Sequence, residues 1–503
     1  MKRFQFVLLL AISIMLPASY AFAAQLLVPS SYATIQAAID AAYAGDEVVV
    51  SNGTYDENIN FGGKAITVTS VNGAASTIID GGGSGSVVTF ENAEGKNSVL
   101  NGFTIQNGEA GIYCNGVSPT ISNCIITNNT GATNNVTVGG INSISSSLTI
   151  TNSTISNNTG WALYNYPGSG SLVMTGSLVD NNGGGVLFSG ATLDVSKSIF
   201  TNNSNTGLRF SATGTTTITN SLFAKNDSQD RAGGIWVAQN SPVNIMNCTI
   251  ADNSAQKFYG SGGIYVQFSS TPLTITNSIL TWNMTQTSSI YNIYPNTYVS
   301  NFDISYTMLN QSLYSDYGPG NIYNNPYFVD SVNGDYHLAP NSYNIDAGTS
   351  DGAPADDLDG NSRPQNEVYD IGPYEFTCPP DGDGDGYYAA EGCGNCPVDC
   401  NDSDASIHPG KAIDCSVNGS DNDCDGQIDS DEPDCTLGCA NVDPDDQGPD
   451  YSCSTGLSGI CYNGTRTCSS DIWNDCINTY PAFTIMHHFP SIFVFTFWII
   501  ALT

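Results

Sequence analysis

The chain has 503 residues, of which 12 are basic and 47 acidic, and its formal net charge at pH 7 is −35. Such a charge repels a phosphate backbone and argues against nucleic acid as a partner, whereas divalent cations are its natural counterions. The length allows either several domains of ordinary size or one long solenoid with appended segments.

Residues 1–24 have the pattern of a secretory signal peptide. Lys2 and Arg3 precede an apolar run that ends in the small-residue pattern Ala21-Phe22-Ala23, as at a signal-peptide cleavage site. No cysteine follows the predicted cut, so lipid attachment there is not predicted. We therefore expect a secreted or cell-surface protein, outside the cytoplasm, in an oxidising compartment where disulfides persist.

Residues 25–310 are predicted to form a β-solenoid that begins with a helical cap. In the stretch TIQAAIDAA, an amphipathic helix places Ile35, Ala38, Ile39 and Ala42 on one face. An open solenoid end exposes unpaired strands, so a helix laid across it is the expected cap.

A nine-residue pattern recurs eight times between residues 101 and 284, and a second element, exemplified by WALYN and GGIWV, recurs between the copies. Each copy has an asparagine at its seventh or eighth position and an apolar residue at its fifth. The apolar residues are Ile105, Ile126, Ile155, Val179, Phe200, Phe223, Ile250 and Leu280. Short alternating runs rich in Ile, Val and Thr, without a helical period, predict a parallel β-helix with coils about 4.8 Å apart.

The recurring asparagines and two cysteines have structural explanations. Asparagine tolerates the left-handed conformation of a sharp corner, and stacked amides can bond from coil to coil. We therefore interpret the many Asn-x-Ser/Thr triplets as corners rather than glycosylation sites. Cys124 and Cys248 share the third repeat position but lie five coils apart, roughly 24 Å by strand spacing, which is too far for a disulfide. We expect them to be small core residues.

The cap and the coils resemble the right-handed parallel β-helix proteins of the pectin-lyase-like superfamily, which includes pectin esterases, lyases and many bacterial surface proteins. The resemblance implies an all-β, right-handed parallel β-helix. As partners it implies extracellular polysaccharide or another cell-surface ligand. It specifies no particular activity.

Charged residues on the coils are too few to predict an active site. No histidine occurs between residues 101 and 300. The nearest approach to a charged cluster is Lys225, Asp227, Asp230, Arg231 and Asp252 on two adjacent coils. We interpret these as solvated corner charges and expect a non-catalytic protein in adhesion or glycan binding. The alternative is a polysaccharide lyase, or another carbohydrate-active enzyme, that uses this cluster.

Aromatic residues on the same coils offer a possible sugar-binding surface. They are Trp236, Tyr259, Tyr265 and Trp282. Together they could form a strip on which sugar rings stack, although core packing or ordinary exposure accounts for each of them singly.

Residues 311–376 carry the motifs NIYNNPYFVDSVNGDYHLAP and YDIGPYEF. These motifs resemble the C-terminal end module of bacterial secreted β-helix proteins, sometimes called a choice-of-anchor domain. We expect this segment to cap the far end of the solenoid.

The tail that follows is acidic and rich in cysteine. Residues 377–480 hold 21 acidic residues against Lys411 and Arg466, and twelve of the 15 cysteines of the chain lie after residue 377. An even number of cysteines in a secreted segment predicts a disulfide framework, in a connectivity that the sequence does not give. Cys393 and Cys396 could instead open a zinc site, but no second pair follows at zinc-ribbon spacing.

Two acidic loops within residues 377–436 match a calcium-binding pattern. In DNDCDGQIDSDE the ligands would be the carboxylates of Asp421, Asp423, Asp425, Asp429 and Glu432 and the carbonyl of Gln427. In the partial copy DGDGDGYYAAEG they would be Asp381, Asp383, Asp385, the carbonyl of Tyr387, and Glu391, which stands one place early. Asp399, Asp402 or Asp404 could close this loop instead. The alternative is a charged, disulfide-bonded linker without a bound ion.

The run from Asp381 to Glu432 resembles a metal-binding motif of bacterial surface proteins and the type-three calcium repeats of thrombospondin. The resemblance implies Ca²⁺ and a stalk that the ion makes rigid. Residues 437–480 resemble the cysteine-rich segment that follows such motifs. Residues 481–503 are apolar, with no basic residue after the apolar run. They are either a weak membrane tail or a truncated end, and membrane contact is expected only there.

Overall fold

The computed structural model describes most of the chain apart from its two ends. The described residues are 23–131, 137–166, 168–239, 241–257, 259–268, 270–285, 292–295, 301–310, 318–365, 368–378, 381–388, 399–409, 411, 421–424 and 427–428, with the backbone alone of three strands between residues 458 and 473. The predicted signal peptide before residue 23 and the predicted apolar tail, 481–503, lie outside these ranges. The chain divides into two compact units, Met1–Thr377 and Cys378–Thr503.

The first unit is built almost entirely of short strands. In chain order they are β1 (Gln25–Val28), β2 (Glu47–Val50), β3 (Gly53–Asp56), β4 (Ile59–Asn60), β5 (Thr67–Ser70), β6 (Thr77–Asp80), β7 (Ser86–Phe90), β8 (Val99–Asn101), β9 (Thr104–Gln106), β10 (Ala110–Asn115), β11 (Thr120–Ser122), β12 (Ile125–Thr127), β13 (Val138–Ile144), β14 (Leu148–Thr151), β15 (Thr154–Ser156), β16 (Trp161–Asn165), β17 (Leu172–Thr175), β18 (Leu178–Asp180), β19 (Gly184–Gly190), β20 (Leu193–Ser196), β21 (Ile199–Thr201), β22 (Leu208–Ala212), β23 (Thr216–Thr219), β24 (Leu222–Ala224), β25 (Asp227–Ser228), β26 (Ile235–Val237), β27 (Val243–Met246), β28 (Thr249–Ala251), β29 (Ser254–Ala255), β30 (Ile264–Val266), β31 (Leu273–Thr276), β32 (Ile279–Thr281), β33 (Met284–Thr285), β34 (Ile293–Pro295), β35 (Phe302–Ser305) and β36 (Met308–Leu309).

These strands form three long sheets, because each coil visits the same three faces in the same order. Sheet A is β1-β2-β5-β8-β11-β14-β17-β20-β23-β27-β31-β35, and sheet B is β3-β6-β9-β12-β15-β18-β21-β24-β28-β32-β36. Sheet C is β4-β7-β10-β13-β16-β19-β22-β26-β30-β34, and a short ribbon, β25-β29-β33, follows sheet B in the later coils. Neighbouring coils pair in parallel. The predicted parallel β-helix is therefore confirmed.

The apolar column predicted at the fifth repeat position forms inside sheet B. Its members face one another in register from Ile105 to Leu280, and all eight are buried. The rings of Phe200 and Phe223 stack with their centroids 4.6 Å apart. Burying one such side chain stabilises the fold by about 2 kcal/mol relative to leaving it in water, so the column is a main source of stability.

The asparagines take both predicted roles, divided between two consecutive positions. Asn128, Asn157, Asn181 and Asn202 turn the corner with φ between 52° and 56°. The next residue of each coil points inward and forms a buried ladder, in which each side-chain amide donates to the amide oxygen of the next coil at 2.9–3.1 Å. The ladder consists of Asn129, Asn158, Asn182, Asn203, Asn226, Asn253 and Asn283.

Cys124 and Cys248 are buried and unpaired, as predicted. They occupy a second internal ladder, in which Ser153 and Ser278 accept hydrogen bonds through their hydroxyls from the backbone N–H of Cys124 and Cys248. Burial raises the pKa of the Cys124 thiol to about 11. These thiols are therefore core groups rather than reactive ones.

One short helix, α1 (Ile35–Ala41), packs against the first strands and buries Ile35, Ala38 and Ile39. Charged side chains hold both of its ends. The Glu57 carboxylate accepts from the N–H groups of Ile35 and Gln36 at 2.9 and 3.0 Å, and Lys64 donates to three carbonyls at the other end. These contacts match the helix macrodipole. That α1 caps the open end of the solenoid stays a prediction.

The segment 318–376 contains an antiparallel hairpin, β37 (Phe328–Asp330) and β38 (Asp335–Leu338), joined by a 3-10 turn, Ser331–Asn333. It lies along the outer face of sheet B, where Tyr336 and Tyr374 pack against apolar residues of β24 and β28. Its beginning bonds to the last coil through Pro319, Asn321 and Ile322, and Leu338, Ile345 and Ile371 cluster with Met308 of that coil. The segment therefore covers the side of the solenoid along sheet B, and that it also caps the far end stays a prediction.

The reason for the lateral position is visible in the strands of sheet B. Their outward positions are polar in β9 and β15, with Thr104, Gln106 and Thr154. In β24, β28 and β32 they become Leu222, Ala224, Ala251 and Ile279. An apolar outer face must be covered, and segment 318–376 covers it.

In the second unit the described backbone forms three antiparallel strands, β39 (Ser458–Cys461), β40 (Gly464–Ser469) and β41 (Ile472–Trp473). A disulfide joins Cys400 to Cys424, and Cys378 is also disulfide-bonded, in line with the predicted disulfides. Within the described residues, no helix has the length and apolar character needed to cross a membrane.

Candidate functional site

The five charged residues singled out on the coils are divided among separate environments. Lys225 and Asp252 stand at coil corners, each with φ of 56°, and both contact segment 318–376. Lys225 Nζ donates to the carbonyl of Val332 at 2.6 Å, and Asp252 Oδ2 accepts from the Tyr336 hydroxyl at 2.8 Å. Burial raises the pKa of Asp252, opposed by the Tyr336 hydrogen bond and the charge of Lys225.

The other three members lie elsewhere on the later coils. Asp227 bonds to Ser254 on the neighbouring strand of the short ribbon. Asp230 pairs with Lys257 at 3.1 Å, and Arg231 donates to the Tyr265 hydroxyl at 2.7 Å. The five side chains therefore do not converge on one point where a substrate could react.

A column of outward side chains runs along sheet C instead. In register, it consists of Tyr113, Asn142, Tyr164, Leu187, Arg209, Trp236, Tyr265 and Tyr294. The Arg209 guanidinium lies 3.9 Å from the centroid of the Trp236 ring, which meets Tyr265 edge-on at 5.4 Å. Glycines keep the coils close here: a Cβ on Gly185 would come within 1.9 Å of the Gly207 carbonyl oxygen.

This column opens into a cavity of about 340 Å³, which we call the sheet C groove. The side chains that matter for its chemistry are Trp161, Tyr164, Tyr166, Leu187, Arg209 and Ala238. Tyr166 is half exposed, and its ring lies 6.1 Å from that of Tyr164. Burial, with a smaller effect of Tyr166, raises the pKa of Tyr164. Aromatic faces bind sugar rings, and a guanidinium recognises carboxylates, so the groove suits an acidic sugar.

Further cations lie beside the groove. Asp230 contacts both Lys257 and, at 3.9 Å, Arg209. Arg231 also lies 5.6 Å from the centroid of the Tyr265 ring. Two cations therefore contact the Asp230 carboxylate, and a third, Arg231, lies against Tyr265 of the same column.

The predicted aromatic strip forms only in part. Trp236 and Tyr265 belong to the sheet C column but are buried, Tyr259 is exposed, and Trp282 packs edge-on against Phe328 at 5.7 Å. Sequence reasoning missed Trp161, Tyr164, Tyr166 and Arg209. The sequence does carry a signal for two of them. The fourth residue of the recurring element WALYN, TGLRF, GGIWV or GGIYV points outward from sheet C, and in the first two copies that residue is Tyr164 or Arg209.

In the second unit the first acidic loop gathers three carboxylates. One ligand oxygen from each of Asp381, Asp383 and Asp385 lies within 4.8 Å of the others. Asp381 accepts from the N–H groups of Gly384 and Gly386 at 2.6 and 2.8 Å, and these backbone bonds lower its pKa. Within the described residues, the buried Oδ2 atoms of Asp383 and Asp385 have no hydrogen-bond partner. Oxygen atoms left in this state fit a hard divalent cation.

Two further acids contact this loop: Asp402 Oδ1 accepts from the Gly382 N–H at 3.0 Å, and the Asp399 N–H donates to the Tyr388 carbonyl at 2.9 Å. Asp399 is the buried one. It is 95% buried, since its exposed fraction is 5%, and its Oδ2 also lacks a partner among the described residues. Desolvation, then the charges of Asp385, Asp399 and Asp381, raise the pKa of Asp383. Glu391, predicted as the closing ligand, lies outside the described residues.

The second acidic loop is described only in part. Asp421 and Asp423 are partly buried, and Gln427 is exposed, whereas Asp425, Asp429 and Glu432 lie outside the described residues. Asp399, Cys400 and Cys424 also lie close together. However, the two sulfurs form a disulfide, so they are not the thiolates that bind metals.

Comparisons with known proteins agree with this architecture. A family model described as a right-handed β-helix region matches residues 58–223 and, in an overlapping second match, residues 139–304. This match and the three parallel sheets agree that residues 58–304 form a right-handed parallel β-helix. A second family model, named for copper binding and described as a metal-binding motif, matches residues 399–430. The chain therefore also contains a metal-binding motif.

Several solved structures resemble the chain. Pectate lyase Pel9A shares 17% sequence identity with a TM-score of 0.45, over 68% of this chain and 90% of that one. The A-module of the Azotobacter vinelandii mannuronan C-5 epimerase AlgE4 shares 16% identity with a TM-score of 0.33, over 54% and 94%. The PL6 family alginate lyase AlyGC shares 13% identity with a TM-score of 0.28, over 69% and 57%. Likeness at these values does not extend to activity. No curated protein matches the sequence significantly.

Proposed function

We propose that the first unit is a non-catalytic, glycan-binding β-helix whose ligand is an acidic extracellular polysaccharide. The observation that carries the proposal is the sheet C groove, in which Trp161, Tyr164 and Tyr166 lie beside Arg209. The charge of the coils agrees with it. Between residues 101 and 300 there are six acidic and five basic residues, so the high negative charge of the chain lies elsewhere.

Binding without turnover is supported by the residues around the groove. Among the described residues that line it, none is a carboxylate, lysine or histidine. Tyr164 and Tyr166 are the side chains of the lining that could act as a general acid or base, and burial raises the pKa of Tyr164, which makes it a poorer base. Lys225 and Asp252, two of the five residues on which a lyase would depend, are both engaged by segment 318–376.

The test is direct binding of polygalacturonate and alginate oligosaccharides, measured by calorimetry, with a neutral oligosaccharide as control. Arg209→Gln is expected to weaken binding at least ten-fold, because a charge-assisted hydrogen bond contributes about 1.5–3 kcal/mol. Tyr166→Ala is expected to weaken it several-fold.

Matched controls are available on the same unit. Lys96→Gln removes a positive charge from an exposed residue outside the groove lining, and Tyr43→Ala removes an exposed tyrosine ring. Equal losses in these controls would contradict the groove assignment. Release of unsaturated uronate, seen by its ultraviolet absorbance, would show a lyase and overturn the non-catalytic assignment.

We further propose that the metal of the second unit is Ca²⁺ and that the ion makes this unit rigid. The support is the set of ligands, which are carboxylate and carbonyl oxygens, as calcium prefers and copper does not. When bound, the ion would supply the positive charge that lets the carboxylates lie together. Calorimetric titration with Ca²⁺, Mg²⁺ and Cu²⁺ tests this, and selective binding of Cu²⁺ would contradict it.

We also propose that the protein is located outside the cytoplasm. The signal peptide predicted at residues 1–24, the cysteine-rich tail, and the likeness of residues 311–376 to the end module of bacterial secreted proteins together support a secreted or cell-surface protein. Fractionation of expressing cells tests it, and recovery of the intact chain from the cytoplasm would contradict it.

A further inference from the structure

Arg209, the cation that lines the sheet C groove, keeps its hydrogen-bond donors available. A guanidinium has five N–H donors, yet none of the described residues accepts a hydrogen bond from Arg209. Its side chain is 37% exposed. Arg231 differs, since it donates to the Tyr265 hydroxyl at 2.7 Å. The Arg209 guanidinium can therefore give two parallel hydrogen bonds to a carboxylate of a ligand.

Trp236 holds this guanidinium from the next coil. The two residues are paired in register between β22 and β26, and the guanidinium lies 3.9 Å from the centroid of the indole ring. The indole is itself fixed: it is buried, its Nε1–H donates to Gln267 Oε1 at 3.1 Å, and Tyr265 meets it edge-on. Stacking uses the face of the guanidinium, so the N–H groups on its edge remain open to a ligand.

Asp230 acts on the same guanidinium in the opposite sense. Its Oδ1 lies 3.1 Å from Lys257 Nζ, whereas its Oδ2 lies 3.9 Å from Arg209 Nη1, which is too far for a hydrogen bond. Asp230 therefore takes no donor from Arg209, but its charge offsets part of that of the guanidinium. The same charge repels any second carboxylate that approaches Arg209, an effect that water screens in part at this half-exposed site.

We propose that Trp236 and Asp230 set the preference of the sheet C groove for acidic ligands, both of them through Arg209 and in opposite directions. Trp236 is a positioning residue that holds the guanidinium ready for a carboxylate, and Asp230 competes with that carboxylate. Neither is among the described residues that line the groove, so neither needs to contact the ligand. The inference rests on the proposed binding of acidic glycans and deepens it, because it names residues that determine the selectivity.

The test compares trigalacturonate with its fully methyl-esterified form, two ligands that differ in charge, by calorimetry on the full chain. Trp236→Leu is expected to weaken binding of the acid about five-fold, as the loss of one cation–π contact predicts, and that of the ester less than two-fold. Trp236→Phe keeps an aromatic face and should recover most of the affinity for the acid. Equal losses for acid and ester would mean that Trp236 only supports the fold, and would overturn its positioning role.

Urea unfolding checks that Trp236→Leu is folded. If it is not, Trp236→Met, which keeps more of the buried volume, takes its place.

Asp230→Asn gives a change of opposite sign. Removing the competing charge is expected to strengthen binding of the acid about three-fold and to leave binding of the ester unchanged. Asp194→Asn is the matched control, because it removes one negative charge from an exposed position on sheet A and should alter neither affinity. Weaker binding of the acid by Asp230→Asn would show that Asp230 supports Arg209 and does not compete with the ligand.

The Arg209→Gln background separates this inference from the proposal beneath it. Because both residues act through the guanidinium, Trp236→Leu and Asp230→Asn should have no further effect on binding of the acid once Arg209 is replaced. If their effects persist at full size, the inference fails while the groove remains the binding site. If Arg209→Gln alone leaves binding unchanged, or if the wild type binds neither ligand, the proposed function itself fails.

Discussion

The β-helix and the acidic unit both align polar side chains at regular spacing, with opposite consequences. In the coils, Asn182 and its equivalents are buried, and each amide both donates to one neighbour and accepts from another. In the acidic unit, Asp383 and Asp385 bring together oxygens that can only accept.

The two units differ in whether identical side chains can hydrogen-bond to one another. An amide ladder is self-complementary, so a new coil extends it without any outside component. Carboxylates repel one another, so the same alignment needs a cation or a covalent link from outside the row. The β-helix is therefore expected to be stable without an added ion, and the acidic unit only with its ion and its disulfides.

Replacing one rung of the buried ladder should have the largest effect. Asn182→Ala removes donors to the carbonyls of Ile155 and Asp180 and leaves the N–H of Asn158 unsatisfied. We expect a loss of about 3 kcal/mol in the free energy of unfolding, since each unsatisfied buried group costs about 1–3 kcal/mol. Urea unfolding followed by circular dichroism measures it.

The adjacent corner gives the matched control. Asn181 is exposed and has φ of 52°, and its amide donates to Asn157 Oδ1 at 2.7 Å. Because that hydrogen bond is open to water, Asn181→Ala is expected to cost mainly the left-handed strain of alanine, about 1 kcal/mol. Equal losses at positions 181 and 182 would mean that the amide ladder contributes little beyond its corner geometry.

Removing calcium should affect only the acidic unit. Ca²⁺ at one hundred times its dissociation constant stabilises the unit by about 2.7 kcal/mol, and a chelator should remove that stabilisation. Differential scanning calorimetry should show the transition of the second unit shifting while that of the β-helix stays in place. A chelator that shifts both transitions, or neither, would erase the contrast between the units.

The coils could be predicted from the sequence because every coil repeats the same pattern of inward apolar residues and corner asparagines. The spacing of Ile126, Ile155 and Val179 gave the sheet, the register and the buried column. The position of segment 318–376 was not predicted, because it depends on which outward residues of sheet B are apolar. Leu222 and Ala251 carry that information, but only once the inward and outward positions are known.

Of the two candidate sites, one could be predicted from the sequence and the other could not. The first acidic loop is a local pattern, and its three carboxylates do lie together as the spacing predicts. The sheet C groove is assembled from one residue per coil, about 20 to 30 residues apart, so Tyr164 and Arg209 look unrelated in the sequence. The spacing left open which acid closes this loop, because Asp399, Asp402 and Asp404 all follow it in the chain.

Asp370 gives the β-helix unit a pH dependence opposite to that of ordinary ion-paired carboxylates. Burial and the nearby Glu375 raise its pKa from 3.8 to about 7. Since the folded protein holds this proton more tightly than the unfolded chain, the stabilisation is present at low pH and is lost as pH rises from about 4 to about 7.

The Asp370→Asn variant isolates this effect, because the other titrating groups are unchanged. Between pH 4 and pH 7 the wild type should lose about 3 kcal/mol relative to the variant, measured by urea unfolding at several pH values. A constant difference across that range would mean that Asp370 is ionised in the folded protein at low pH as well.

The smallest effect should come from the contact between segment 318–376 and the coils. Tyr336→Phe removes the hydroxyl that donates to Asp252 but keeps the ring that packs on Leu222, Ala224 and Ala251. Because the charge of Lys225 still acts on Asp252, we expect a loss of only about 1 kcal/mol, together with faster proteolysis of the segment. Tyr343→Phe, at an exposed position on the same segment, should change neither quantity. Equal effects of the two substitutions would show that the Asp252 contact does not hold the segment against the coils.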